Sequence, residues 1–160
     1  MTIAPKLHQY LDDQHADYDV IMHPPTQSAM QTARVCHIPA GCMAKAVLLD
    51  TPDEYLLAVL PADRRIGLTE LRSELGAKPR VADEDEIVAV FDDCAFGAVP
   101  PLGAGYGLVT IIDDSLLNQP DIYFEGGDHS SMVHMNQAEF ARVAGQTRHG
   151  RFSESTALLD

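Results

Sequence analysis

The sequence predicts an α/β fold of the α+β kind, built on a mixed β-sheet surrounded by helices, and three observations carry that expectation. Strand-length apolar runs and segments of helical periodicity follow one another without regular alternation. The helical segments open on residues that cap well, and the strand runs are bounded by Pro, Gly and Asp turn chemistry. The chain has 160 residues, 46% of them hydrophobic, which is enough to bury one core without disulfides or metal. A single domain over residues 1–150 and a C-terminal tail over 151–160 are therefore expected.

Residues 4–15 place Leu7, Tyr10 and Leu11 on one helical face, with Pro5 suited to the first turn. Tyr18 to Met22 reads as a short strand ending at Pro24-Pro25, after which Thr26 or Ser28 can cap a second helix reaching about His37. Ala46 to Asp50 and Tyr55 to Leu60 are apolar strands joined by Thr51-Pro52-Asp53-Glu54, a hairpin connection. Leu68, Leu71 and Leu75 recur at helical spacing, and Asp83 with Glu86 resembles a capping box ahead of Ile87, Val90 and Phe91. The stretch from Cys94 to Gly107 holds Gly97, Gly103, Gly105, Gly107 and Pro100-Pro101, so it is a shaped loop, and loops of this length tend to carry function. Leu108 to Ile112, Asp121 to Glu125 and Met132 to Met135 are further strands, and Asn136 with Glu139 opens a last helix carrying Phe140, Val143 and Ala144.

Composition narrows the function. The net charge of −13 repels DNA and anionic membranes unless a local patch overrides it. Seven of the eleven cations lie between Arg34 and Arg80, a stretch of about +1, so an anionic ligand is expected on that side. No apolar run approaches the ~18 residues of a membrane helix. The three cysteines, Cys36, Cys42 and Cys94, suit reduced thiols better than a disulfide framework, which points to a cytoplasmic protein. Cys36, His37, Cys42, His129 and His134 lack zinc-site spacing, so neither metal nor cofactor is expected.

Lys45 stands alone between Lys6 and Lys78 in an otherwise apolar segment. Two readings stand: a stem that snorkels from a strand end, and an anion clamp or base. The run Gly97-Ala98-Val99-Pro100-Pro101 alternates backbone freedom with backbone constraint, which suits either a structural crossover or a loop holding N–H groups toward a ligand. Gly103-x-Gly105-x-Gly107 precedes a strand rather than a helix, so it is no dinucleotide loop. His129, after Gly126-Gly127-Asp128, is a turn residue or a donor. Cys94 with His129 would make only a weak thiol pair, and Arg64-Arg65 reads as a solvated turn with some capacity for phosphate.

Ala44-Lys45-Ala46-Val47-Leu48-Leu49, the segment Ala58 to Arg65, Gly97-Ala98-Val99-Pro100-Pro101 and Glu125-Gly126-Gly127 together resemble the YbaK/prolyl-tRNA synthetase-associated domain family over about residues 18–146. These are free-standing aminoacyl-tRNA deacylases related to the editing insertion of bacterial prolyl-tRNA synthetases. The resemblance implies a partly barrel-like mixed sheet. It also implies trans-editing hydrolysis of the ester between a small non-cognate amino acid and a tRNA, tRNA-Pro being the expected one. Lys45 matches the family lysine that holds the terminal phosphate or ribose. Gly97 and Pro101 match the G-x-x-x-P loop at the aminoacyl group, with Ala98, Val99 and His129 expected to bind substrate. One departure matters: the position after the lysine, polar in some members, is Ala46 here, so the amino acid selected does not carry over.

The expected partners are the tRNA acceptor end and, given the acidic surface, an aminoacyl-tRNA synthetase. The oligomeric state stays open. A non-catalytic module binding a small metabolite or a synthetase through the same pocket is the alternative.

Overall fold

The helices and the longer strands form where the caps and periodicity place them. The computed structural model describes residues 3–145 and 147–156. Helix α1 (Pro5–Asp13) has Pro5 in its first turn and buries Leu7 and Leu11. Strand β1 (Asp19–Met22) leads to α2 (Ala29–Val35), where the Ser28 side chain accepts from Gln31 N–H. Strands β2 (Met43–Asp50) and β3 (Tyr55–Pro61) form the hairpin, followed by β4 (Arg64–Ile66), α3 (Leu68–Leu75) and β5 (Arg80–Val81). Helix α4 (Glu84–Val90) opens on a complete capping box between Asp83 and Glu86. Beyond the long loop lie β6 (Val109–Asp113), α5 (Asp114–Leu117), β7 (Asp121–Glu125) and β8 (Ser131–Asn136). Helix α6 (Gln137–Ala144), capped by Asn136, precedes β9 (Arg148–Gly150) and β10 (Ser153–Ser155).

The large sheet is mixed, in the order β1-β8-β7-β2-β3-β6-β9, with β5 also pairing β2. β2 runs antiparallel to β3 and parallel to β7, and β3 runs parallel to β6. Both faces of the central hairpin are covered, which explains why β3 is an unbroken apolar run. Leu48, Leu57 and Val59 pack with Leu7, Leu11, Phe124, Phe140 and Val143 on one side. Leu49, Leu56, Ala58 and Leu60 pack with Leu71, Ile111 and Phe152 on the other. Among the described residues no helix is long and apolar enough to cross a membrane.

Two expectations are corrected. The tail expected from residue 151 is part of the fold as far as Thr156, and residues 157–160 lie outside the described residues. Phe152 is fully buried, Ser153–Ser155 pairs with Arg64–Ile66, and buried Asp113 accepts from the Phe152 and Ser153 amides at 3.0 Å each. Arg64-Arg65 is accordingly a strand rather than a turn, with Arg64 Nε donating to Ser153 Oγ at 2.6 Å. Short polar strands such as these carry no periodicity, because their pairing is set by a partner some ninety residues away.

Candidate functional site

The site arises from an interruption in the sheet. One edge of β2 pairs with β7 at Met43 and Ala44 and with β5 at Leu49 and Asp50, so among the described residues the edge from Lys45 to Leu48 has no strand beside it. The loop after α4 occupies this opening. A cavity of about 200 Å³ lies there, lined by Ala44, Lys45 and Ala46 of β2, Gln27, Ser28 and Ala29 at the start of α2, Gly97 and Val99 of the loop, and Glu125 at the end of β7. A second cavity of about 200 Å³, lined by Ala46, Val47, Leu48, Ile87, Phe96, Gly97 and Val99, adjoins it. Ala46, Gly97 and Val99 belong to both and so form the wall between them.

Lys45 is partly buried, opposite Leu60 of β3, and its ammonium makes only a long contact to Ala62 O at 3.4 Å. Burial pulls its pKa below the ordinary lysine value, with nearby Asp63 opposing. An anion at Lys45 would favour its charged form further.

In the loop, Gly97 adopts a positive φ of 85°, a conformation that favours glycine. A Cβ there would stand 3.1 Å from Gln27 O and 3.3 Å from His129 Cε1, so the loop touches both neighbours already. The Ala98 N–H is spent on Ala95 O at 3.1 Å, whereas the Gly97 and Val99 amides make no hydrogen bond with the described residues. Two free N–H donors thus belong to residues that line the cavity.

The expected site residues separate into two groups. Lys45, Gly97 and Val99 come together around the cavity. Ala98 is fully buried behind it and Pro101 is buried with it, so neither lines the space, and both act as backing for the loop. His129 lies behind Gly97 rather than on the cavity wall. It is a turn residue with φ 63°, and its Nε2 donates to Phe96 O at 2.5 Å, which ties the glycine turn to the loop.

Cys94 is set apart. Its thiol contacts Tyr106 and Asp93, and burial pushes its pKa up to about 12. No thiolate nucleophile exists there at neutral pH.

Glu125 was missed as a site residue. It is 3% exposed, yet it lines the cavity. Its Oε1 accepts from Thr32 Oγ1 and faces His23 Nε2 at 3.6 Å, and burial raises its pKa against the opposing effects of Thr32 and His23. The sequence places Glu125 at the end of a strand and in a family-like segment, but nothing local marks it as a buried acid of the site. Its burial depends on His23 and Thr32, which lie about a hundred residues away in sequence and give no local signal. His134, also considered for metal, sits between Asp19 and Asp121 and stacks on Tyr123.

Comparison with known proteins places this geometry. A family model described as an aminoacyl-tRNA editing domain matches residues 23–143. The Multifunctional Ser/Thr-tRNA deacylase ProXp-y of Escherichia coli K12 is 28% identical over 145 residues, covering 84% of this chain and 83% of that protein. Among solved structures, the hypothetical protein APE2540 superposes with a TM-score of 0.83 at 19% identity, over 93% of this chain and 99% of the other. A protein put forward as a trans-editing enzyme for prolyl tRNA synthetase gives 0.81 at 21% identity, over 94% and 96%.

Proposed function

The chain belongs to the aminoacyl-tRNA editing domain family, and from that premise we propose that it is a trans-acting deacylase that hydrolyses the ester between a small non-cognate amino acid and the 3′ end of a tRNA. The observation that carries the reading is one cavity in which a cation, Lys45, meets two residues with uncommitted amides, Gly97 and Val99.

The chemistry required is modest. An aminoacyl ester is already activated, so the site must hold it, admit water or the neighbouring ribose hydroxyl, and stabilise the oxyanion. Lys45 holds the terminal phosphate or ribose as a point charge. The Gly97 and Val99 N–H groups supply the oxyanion donors, with Ala98 and Pro101 fixing the loop from behind and His129 holding its turn. No hydroxyl, thiol or imidazole lies between Gly97 and Gly105. Ser28, the one hydroxyl on the cavity wall, serves as the cap of α2. A covalent side-chain nucleophile is therefore not part of the mechanism.

The acyl group is small because Ala29, Ala44, Ala46, Gly97 and Val99 leave a narrow space. Gln27, Ser28 and Glu125 offer polar contacts there, which favours serine and threonine, the amino acids in the ProXp-y relative's name. The tRNA-Pro expectation rests on the family resemblance alone. Because the protein is acidic, only the acceptor end is held, with a synthetase as the helper. We assign the described residues to one deacylase domain acting in the cytoplasm.

The test is deacylation by purified protein of alanyl-, cysteinyl-, seryl- and threonyl-tRNA, each on tRNA-Pro and on its cognate tRNA. Turnover of at least one, fastest with seryl or threonyl esters, is expected. If all remain intact at high protein concentration, the metabolite-binding alternative takes the place of the enzymatic reading.

A further inference from the structure

Glu125 carries an unmet bonding requirement. Its Oε1 is engaged by Thr32 Oγ1, which is itself 2.5 Å from Thr26 Oγ1. Its Oε2 is buried and has no hydrogen-bond partner among the described residues. The neighbouring His23 does not fill the gap. His23 Nδ1 lies 2.8 Å from Pro24 O, and a carbonyl only accepts, so Nδ1 carries a ring proton and Nε2 faces Oε1 rather than Oε2. A buried carboxyl oxygen left empty is costly, and Glu125 is a residue of the cavity lining, where a ligand donor would relieve that cost.

The charge pattern says which donor. Among the described residues the cavity is lined by one cation, Lys45, and one acid, Glu125, with Gly97 and Val99, whose amides make no hydrogen bond with the described residues, as further lining residues. An aminoacyl ester on tRNA has the matching sequence of groups: a phosphodiester anion, the ester carbonyl, then an α-ammonium two bonds beyond the carbonyl carbon. With the phosphate at Lys45 and the carbonyl oxygen at the loop amides, the ammonium is the one charged donor left for Glu125.

Resting on the deacylase reading, we propose that Glu125 Oε2 accepts a hydrogen bond from the α-ammonium of the acyl group. The site thereby requires a free α-amine and rejects esters whose amine is acylated, such as formylated or peptidyl esters. An acylated amine is uncharged and bulkier. It would leave the Glu125 carboxylate unpaired while crowding a cavity of about 200 Å³.

The experiment uses two hydrolysis-resistant probes, the L-seryl amide of 3′-amino-3′-deoxyadenosine 5′-phosphate and its N-acetyl derivative, titrated by calorimetry into wild-type protein, Glu125→Gln and Thr32→Val. Hydrolysis of seryl-tRNA and N-acetylseryl-tRNA is measured in parallel. Wild type is expected to bind the free-amine probe at least about 10-fold more tightly than the acetylated one. Glu125→Gln should weaken the free-amine probe by about 10- to 100-fold and leave the acetylated probe within about twofold, erasing the preference. Thr32→Val, which removes a support of Oε1 but not the charge, should keep the preference.

Equal binding of both probes by wild type overturns the proposal, as does a Glu125→Gln variant that weakens both alike. Should Glu125→Gln fail to fold, the wild-type preference decides by itself. Hydrolysis of both esters by wild type at equal rates leaves the deacylase reading standing and removes the amine requirement. Preferential binding of the free-amine probe without hydrolysis of any aminoacyl-tRNA does the reverse.

Discussion

Replacing Gly97 with alanine separates a backbone cost from a contact cost, because Gly107 in the same loop provides a matched control. Both glycines have positive φ, 85° and 70° respectively. An L-residue in that region costs roughly 1–2 kcal/mol, so each substitution should lose about that much stability. At Gly107 the new methyl meets nothing within 4 Å, and the cost ends there. At Gly97 it meets Gln27 O at 3.1 Å and His129 Cε1 at 3.3 Å, and the first of these is backbone that cannot swing aside. Such overpacking adds roughly 1–3 kcal/mol or shifts the loop. A shift of even ~1 Å in groups that position an ester can cost as much as ~10²-fold in rate.

Urea denaturation and deacylation kcat/KM, measured on both variants, make the comparison. Gly107→Ala should unfold more easily yet turn over within about twofold of wild type, whereas Gly97→Ala should lose at least ~10-fold in kcat/KM. Equal activity in the two variants would mean that the close approach of the loop to α2 and His129 has no part in turnover. The role given to Gly97 would then be wrong.

Lys45→Ala, in steady-state deacylation assays with thermal melting as a fold control, should lower kcat/KM by roughly 10- to 150-fold, the equivalent of 1.5–3 kcal/mol for a charged partner of phosphate. Lys45→Arg should recover only part of that loss, since a planar guanidinium does not substitute for a compact ammonium, and full recovery would argue against the point-charge role. Cys94→Ala should leave deacylation nearly unchanged, and wild-type activity should survive a thiol-directed reagent at neutral pH, because burial keeps the thiol protonated up to a pKa of about 12. Abolished hydrolysis with the fold preserved would restore covalent thiol catalysis as a possibility. Phe152→Ala should cost about 3–5 kcal/mol in denaturant unfolding, as expected for a fully buried phenylalanine, and a loss under ~1 kcal/mol would return the C-terminal segment to the status of a tail.

What the sequence made legible and what it hid differ in range. Helix starts were legible because a cap acts within three residues: Ser28 with Gln31, Asp83 with Glu86, Asn136 with Glu139. The β2–β3 hairpin was legible because two apolar runs flank one turn. Lys45 stood out because an ammonium inside an apolar strand needs a local explanation. By contrast, β4 and β10 are three-residue strands, polar except for Ile66, whose pairing is made across the fold, and the burial of Phe152 depends on Leu71 and Ile111 on distant elements. Glu125 was hidden for the same reason, its environment coming from His23 and Thr32. His129 was legible as a residue near the loop but not in its role. Its ring holds Phe96 O, a contact that only the folded position of the loop creates.

The partition formed by Ala46, Gly97 and Val99 bears on how such a protein changes its tastes over time. On the deacylase reading, the ceiling on acyl size lies in this septum, which has a second cavity beside it. Val99 is the one residue of that septum with a side chain larger than a methyl, and it is only partly buried. Trimming it to alanine would open the two spaces to each other at the cost of its packing against the core cluster of Leu48, Leu57 and Phe124. Acceptance of bulkier acyl groups would then widen with a modest loss in melting temperature, and a Val99→Ala variant with an unaltered substrate range would show that the ceiling lies elsewhere. Substrate range would thereby shift at the cost of one partly buried contact rather than of a fully buried core side chain, so selection can adjust it without dismantling the interior.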